Sequence, residues 1–307
     1  MPWVKLGLAA LMAGVALGGA VAMARSLSVG SGASGGGTAP LAVLRTNDFH
    51  ALAFAPSDPN VAFFGHHNGL LRTDDGGRTW TPLVERPNFD AMGLAVSRAD
   101  PKQIYIAGHD VFQESADGGA TWQPVQHTLP GTDIHGFAIS PDDPNRLYAF
   151  VNPIGLFASA NGGGGARTWQ RLTQAPAGIM ALAAAGGAAA GGPDTLYAGS
   201  MSAGVVRSAD GGQTWTPASS GLTSTRVLAL ATDPTSMQTL YAGTDAGLFK
   251  TTDGGAAWAK LPFPGKNAVA IAVSPARPER VLAIYQDMNG RKGDVFRSDD
   301  GGQTWSQ

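Results

Sequence analysis

The chain has 307 residues, 43 of them glycine and 20 proline, which suits many short strands joined by turns and is long enough for one large all-β domain. A formal net charge of −2 with no basic run excludes a nucleic-acid surface as the organising feature. The absence of cysteine excludes disulfides, cysteine nucleophiles, thiolate metal sites and a lipid anchor on cysteine.

Residues 1–24 read as a targeting segment. Lys5 supplies the positive start, residues 6–24 are apolar, and Ala22-Met23-Ala24 fits a cleavage site before Arg25. The alternative is a membrane anchor through residues 6–24, since the run is about long enough to span a bilayer. Its glycine and alanine content favours cleavage, and either way the remainder is expected outside the cytoplasm, whether periplasmic, surface-bound or secreted. Residues 25–40, with Gly35-Gly36-Gly37, read as a flexible linker, and residues 41–307 as the folded domain.

Six copies of one motif run through that domain. They are Thr73-Asp74-Asp75-Gly76-Gly77-Arg78-Thr79-Trp80, Ser115-Ala116-Asp117-Gly118-Gly119-Ala120-Thr121-Trp122, an interrupted Ser159-Ala160-Asn161 with Thr168-Trp169, Ser208-Ala209-Asp210-Gly211-Gly212-Gln213-Thr214-Trp215, Thr251-Thr252-Asp253-Gly254-Gly255-Ala256-Ala257-Trp258, and Ser298-Asp299-Asp300-Gly301-Gly302-Gln303-Thr304-Trp305. The tryptophans fall 42, 47, 46, 43 and 47 residues apart, a period that signals a propeller or solenoid. Gly-Gly provides the positive φ angles of a tight turn, and the Asp and the Ser or Thr before it can accept backbone amides. The motif resembles the Asp box, or BNR repeat, of sialidases and many other propellers. That resemblance implies a structural turn on the outer rim, far from any active site, with each tryptophan packed between sheets.

Each repeat reads as four short strands, a to d. In the first, a is 50–54, b is 61–65, c is 70–73 and d is 79–83. The a–b turns recur as Ser57-Asp58-Pro59-Asn60, Ala99-Asp100-Pro101-Lys102 and Asp142-Asp143-Pro144-Asn145. Tyr105, Tyr148, Tyr197 and Tyr241 share one b-strand position and read as core. The expected fold is an all-β, six-bladed propeller with four-stranded blades and the motif turn between strands c and d. Residues 41–45 are placed to help close the ring beside the short final strand at 304–307.

In the propellers this chain resembles, ligands lie on the face made by the d–a loops, the b–c loops and the starts of the a strands. Aligning the a strands puts His50, Met92, His135, Met180, Leu228 and Val269 in one ring there. Two residues earlier stand Asp48, Asp90, Asp133, Gly178, Arg226 and Asn267. Strand residues two apart point the same way, so an Asp and its following His share a side. The b–c loops add His66, His67, Asn68, His109, Asp110, Met201, Asp245, Asp287 and Met288, and His127 lies in a d–a loop. All six histidines thus map to one face, with Met92, Met180, Met201 and Met288; Met237, in an a–b turn, is the exception.

Imidazole with thioether suits copper, and imidazole with carboxylate suits zinc, iron or nickel. The metal candidates are His50, His135, His66, His67, His109, Met92 and Met180, with copper the first cofactor to consider. The plain alternative is a polar channel mouth above ordinary core methionines. A glycoside hydrolase would instead use two carboxylates at a set separation, with Asp48, Asp90, Asp133 and Asp110 the candidates. The Phe-Arg-Ile-Pro segment and Tyr-Glu pair by which sialidases resemble one another are absent, and only Arg226 stands among the aligned mouth positions.

The segments 50–53, 65–70 and 140–145 carry a likeness to exported bacterial BNR-repeat proteins described as glycosyl hydrolase-like without a demonstrated substrate. The chain also resembles, more weakly, photosystem assembly propellers, which look seven-bladed and bind membrane-protein partners. That resemblance implies a protein partner such as a membrane complex. Two functional readings follow: a binding or assembly module that recognises a protein partner or a metal ion, and a hydrolase at the same face.

Overall fold

A computed structural model describes residues 39–46, 48–159, 166–172, 175–187, 189, 191–287 and 291–306. The targeting segment, most of the linker, Asn161 and Met288 lie outside the described residues. β1 (Ala42–Arg45) precedes the first complete blade, which contains β2 (Ala51–Phe54), β3 (Ala62–His66), β4 (Gly69–Thr73) and β5 (Thr81–Glu85). Blade two contains β6 (Gly93–Val96), β7 (Ile104–Gly108), β8 (Val111–Ser115) and β9 (Gln123–Pro124). Blade three contains β10 (Ile134–Ile139), β11 (Leu147–Val151), β12 (Gly155–Ser159) and β13 (Gln170–Leu172). Blade four contains β14 (Ile179–Gly187), β15 (Asp194–Ser200), β16 (Val205–Ser208) and β17 (Thr216–Pro217). Blade five contains β18 (Val227–Asp233), β19 (Ser236–Thr244), β20 (Gly247–Thr251) and β21 (Ala259–Lys260). Blade six contains β22 (Ala268–Val273), β23 (Val281–Gln286) and β24 (Lys292–Ser298), with β1 as its outer strand. The chain is therefore a six-bladed propeller of four-stranded antiparallel sheets.

The ring closes through both ends of the domain. β1 pairs with β24 from Ala42 opposite Val295 to Arg45 opposite Lys292. Past β1, the Ser306 amide donates to Arg297 O at 2.6 Å, so the outer edge of blade six is shared by residues from the two ends. Across the seam, Arg280 Nη1 donates to Asn60 Oδ1 at 2.7 Å and Arg297 Nη1 to Gly76 O at 3.2 Å. Asp299 holds both guanidiniums, at 2.6 and 3.2 Å.

Because a sheet buries both faces only against neighbours, the core forms between blades. Each cluster of buried apolar residues spans one blade junction: Leu44, Phe54, Phe64 and Leu282 at the closing seam, for example, and Tyr105, Phe112, Phe137 and Leu147 between blades two and three. The four aligned tyrosines are buried as expected. Their hydroxyls bridge strands and blades: Tyr148 OH donates to Asp194 Oδ2 at 2.8 Å, and Tyr241 OH to Gly301 O at 3.1 Å.

The motif turns form as their chemistry dictates. Gly76 and Gly77 adopt φ of 73° and 95°, which disfavours any side chain there. The Gly77 amide donates to Thr73 Oγ1 at 3.0 Å. The Arg78 and Thr79 amides both donate to Asp75 Oδ1 at 2.9 Å, and Thr79 Oγ1 donates to Asp75 Oδ2 at 2.6 Å. Asp117, Asp210 and Asp300 repeat the pattern. Trp80, Trp258 and Trp305 are buried, whereas Trp122, Trp169 and Trp215 are half-buried, so the expectation of burial between sheets holds in full for three copies.

The a strands line a central channel. Leu52, Leu94, Phe137, Leu182, Leu230 and Ile271, one from each blade, border the cavities at both ends. At the wider end, about 350 Å³, Arg98 of blade two reaches across to donate to Pro234 O of blade five at 2.8 Å. The other end, about 90 Å³, is the candidate site.

Candidate functional site

The site begins with backbone irregularity. In β10, β14, β18 and β22 the pairing skips one residue near the strand start: His135, Met180, Leu228 and Val269 each fall in the gap. A bulge of this kind re-aims the extra side chain. His50, Met92, His135, Met180 and Leu228 line the narrow end of the channel as the alignment predicts. Val269 departs from it: its side chain is buried in the core at the closing seam, and Ala270 and Ile271 face the cavity instead.

Asp90 is the centre of the mouth. It is 1% exposed, and three imidazoles from two blades surround it. His109 Nδ1 lies 2.6 Å from Asp90 Oδ2, while His50 Nε2 and His67 Nδ1 lie 3.1 and 3.6 Å from Asp90 Oδ1. Burial alone would raise the Asp90 carboxyl, but the His50 and His109 imidazoles outweigh it and hold it at about 2. Although 3.1 Å apart, His50 Nε2 and Asp90 Oδ1 are not aligned for a hydrogen bond, and both are buried. Buried polar atoms without aligned partners are rare and costly, so this pair calls for an explanation.

A second group adjoins the first. His135 Nε2 and His109 Nε2 approach Asp133 Oδ1 at 3.0 and 3.5 Å, and the two rings meet edge to face with centroids 5.2 Å apart. His135 Nδ1 lies 3.4 Å from Met180 Sδ. The other Asp133 oxygen accepts from Asn152 Nδ2 at 3.0 Å. Asn152 was not singled out from the sequence, yet it occupies the b–c loop position of His67 and His109, and that column was the available signal.

Other candidates stand apart. His66 is buried, its Nδ1 engaged by Thr46 Oγ1 at 3.1 Å and the Asn68 amide at 3.3 Å; burial keeps it below the usual imidazole value. It supports the loop that carries His67. His127 does not join the mouth: it packs on Phe112, its Nδ1 accepts the Leu129 amide at 3.1 Å, and burial lowers its pKa. Its d–a loop runs between the outer strands of blades two and three. Asp48 is exposed and 3.9 Å from His50 Nε2. Asp110, at φ 56°, takes a 3.4 Å contact from Thr132 Oγ1. On blade five Arg226 turns to Asp245 at 3.5 Å. The polar mouth is thus built by blades one to three, with Met180 of blade four at its edge.

The atoms brought together suit a cation. Ligands about 2 Å from a tetrahedral ion lie about 3.3 Å from one another. The four distances from His50, His67, His109 and His135 to their carboxylate oxygens, 3.0–3.6 Å, bracket that spacing.

Comparison with known proteins supports the fold and leaves the site open. The family model for Sortilin, neurotensin receptor 3, matches residues 203–307, roughly the last third of the chain. No curated protein gave a significant sequence match. Among solved structures, the chain is similar to the GH74 xyloglucanase of Xanthomonas campestris, at 20% identity and TM-score 0.59, covering 87% of this chain and 46% of that one. The chain therefore spans less than half the length of that enzyme. It is also similar to YCF48 bound to a D1 peptide, at 18% identity, TM-score 0.51, and 91% and 86% coverage. YCF48 from Cyanidioschyzon merolae aligns at 19% identity, TM-score 0.53, with 88% of each chain covered.

Proposed function

We propose that this propeller is a binding module whose narrow mouth takes up a divalent transition-metal ion, in the service of a protein partner. The observation that carries the reading is Asp90: a buried carboxylate ringed by His50, His67 and His109, with one oxygen and one imidazole nitrogen lacking an aligned hydrogen bond. Imidazole and carboxylate donors suit zinc or copper(II), and copper leads by the general order of divalent affinities. Met180 contacts His135 on the nitrogen away from Asp133, so its thioether sits beside the ligand set, and copper(I) loses the advantage that methionine ligands would confer.

The partner follows from the fold's use elsewhere: the likeness to YCF48, recorded with a D1 peptide, supports peptide recognition on such a propeller. Residues 1–24 support placement outside the cytoplasm, by export or by an anchor through residues 6–24 that would bring the mouth to a membrane complex. The hydrolase reading is supported by the likeness to GH74 enzymes. It needs a carboxyl kept protonated near neutrality, and Asp90 is held the other way, leaving Asp48, Asp110 and Asp133 for that role. The metal reading uses more of what is assembled at the mouth.

The test is metal uptake by untagged full-length protein, measured by equilibrium dialysis and mass spectrometry. The parent is expected to retain copper(II) or zinc. The double change His50→Ala with His135→Ala is expected to abolish uptake while circular dichroism stays unchanged. Equal uptake by a folded double variant overturns the reading.

A further inference from the structure

Resting on the metal reading of the mouth, we propose that it holds two ions, in positions coupled through the contact between Asp90 and His109. The ligand atoms fall into two trios with no member in common: His50, His67 and Asp90, and His109, Asp133 and His135, each with its atoms within 4.8 Å of one another. Each trio is two imidazoles and one carboxylate, a set that leaves further coordination positions for water or a partner's ligand.

The second trio is oriented by its neighbours. His109 Nδ1 lies 2.6 Å from Asp90 Oδ2, so the neutral ring carries its proton there and turns its Nε2 lone pair toward Asp133. His135 Nε2 lies 3.0 Å from Asp133 Oδ1 and, with no ion bound, carries the proton that this carboxylate accepts, while Nδ1 rests 3.4 Å from the Met180 sulfur; an ion would take that proton's place on Nε2. Asn152 Nδ2 holds Asp133 Oδ2 and leaves Oδ1 to both rings. With the His135 proton displaced, the Nε2 lone pairs of His135 and His109 converge on Asp133 Oδ1 from 3.0 and 3.5 Å, a set that a cation among them satisfies. The second trio is also the more open, with His109 50% and Asp133 39% exposed against 1% for Asp90. Asp90 belongs to both positions in different ways. Oδ1 is a ligand of the first ion, and Oδ2 fixes the ring that binds the second.

The experiment counts zinc, supplied as the chloride, on untagged full-length protein, with circular dichroism confirming each variant's fold. The parent should bind two equivalents, and His50→Ala and His135→Ala one each. Asp90→Asn should keep one equivalent, weakened roughly 10–100-fold because His109 loses its orienting acceptor. If Asp90→Asn does not fold, His109→Ala serves: it should leave one equivalent whose affinity is altered because Asp90 Oδ2 loses the ring that holds it, and an unaltered affinity overturns the coupling. One equivalent in the parent, removed by either His→Ala change, is a single shared ion and overturns this inference while leaving the metal reading intact. No zinc in the parent overturns both. Two equivalents that persist in both single variants lie elsewhere and overturn the assignment, and an unweakened second site in Asp90→Asn overturns the coupling.

Discussion

The rim and the mouth of this propeller both depend on aspartates, and they use them in opposite ways. Asp117 at the rim is held at about 2 by the Thr121 hydroxyl and amide and by Ser115, all within its own turn. Asp90 at the mouth reaches the same value although burial pushes it up, because imidazoles from two blades surround it. The rim carboxylate is satisfied by groups two to four residues away, within its own turn. The mouth carboxylate gains its partners only when the ring assembles, and one of its oxygens stays without an aligned hydrogen bond. Local satisfaction marks a structural aspartate; long-range, incomplete satisfaction marks one that can exchange a partner for a ligand. Both carboxyls have pKa values lowered from 3.8, so each contributes stability at neutral pH that is lost as pH falls from about 4 through about 2.

The comparison can be broken by changes that confuse the two regions. The largest effect is expected at the rim. Trp80→Ala removes a buried ring whose Nε1 donates to Gly77 O at 3.0 Å, and should destabilise by about 3–5 kcal/mol in urea unfolding. Metal uptake by the folded fraction should not change. Next, Asp75→Ala removes the acceptor of two amides and a hydroxyl and should cost about 1–2 kcal/mol, again with metal uptake unchanged. If metal binding falls with the Asp75 turn, the separation of rim from mouth fails. The smallest effect is expected from Met180→Leu, which keeps the channel wall and should alter copper(II) affinity less than about threefold. A larger loss, confined to copper(I), would bring the thioether into the ligand set.

Much of this was readable before the structure. The tryptophan period and the Gly-Gly turns carry the blades because the five intact copies rebuild the turn from local hydrogen bonds. The aligned tyrosines read as core because one repeated position must fill one repeated space. The pairing of Asp133 with His135 followed from strand alternation. What sequence could not supply was set by three-dimensional closure. The bulges before Gly136, Ala181, Ala229 and Ala270 have no local signature, and they aim His135 and Met180 inward. His127, in a d–a loop, and His109, in a b–c loop, both map to the mouth face by loop type, but the packing of His127 on Phe112 holds it away from the mouth. Asn152 escaped notice because an asparagine in a turn already has a conformational explanation.

The most direct measurement is anomalous diffraction from crystals of the untagged protein grown with copper(II) or zinc, collected at the metal edge. The account predicts a peak about 2 Å from His50 Nε2, His67 Nδ1 and Asp90 Oδ1, and none at Asp75, Asp117, Asp210 or Asp300. A mouth with no peak at Asp90, or metal seated on the rim carboxylates, would contradict it.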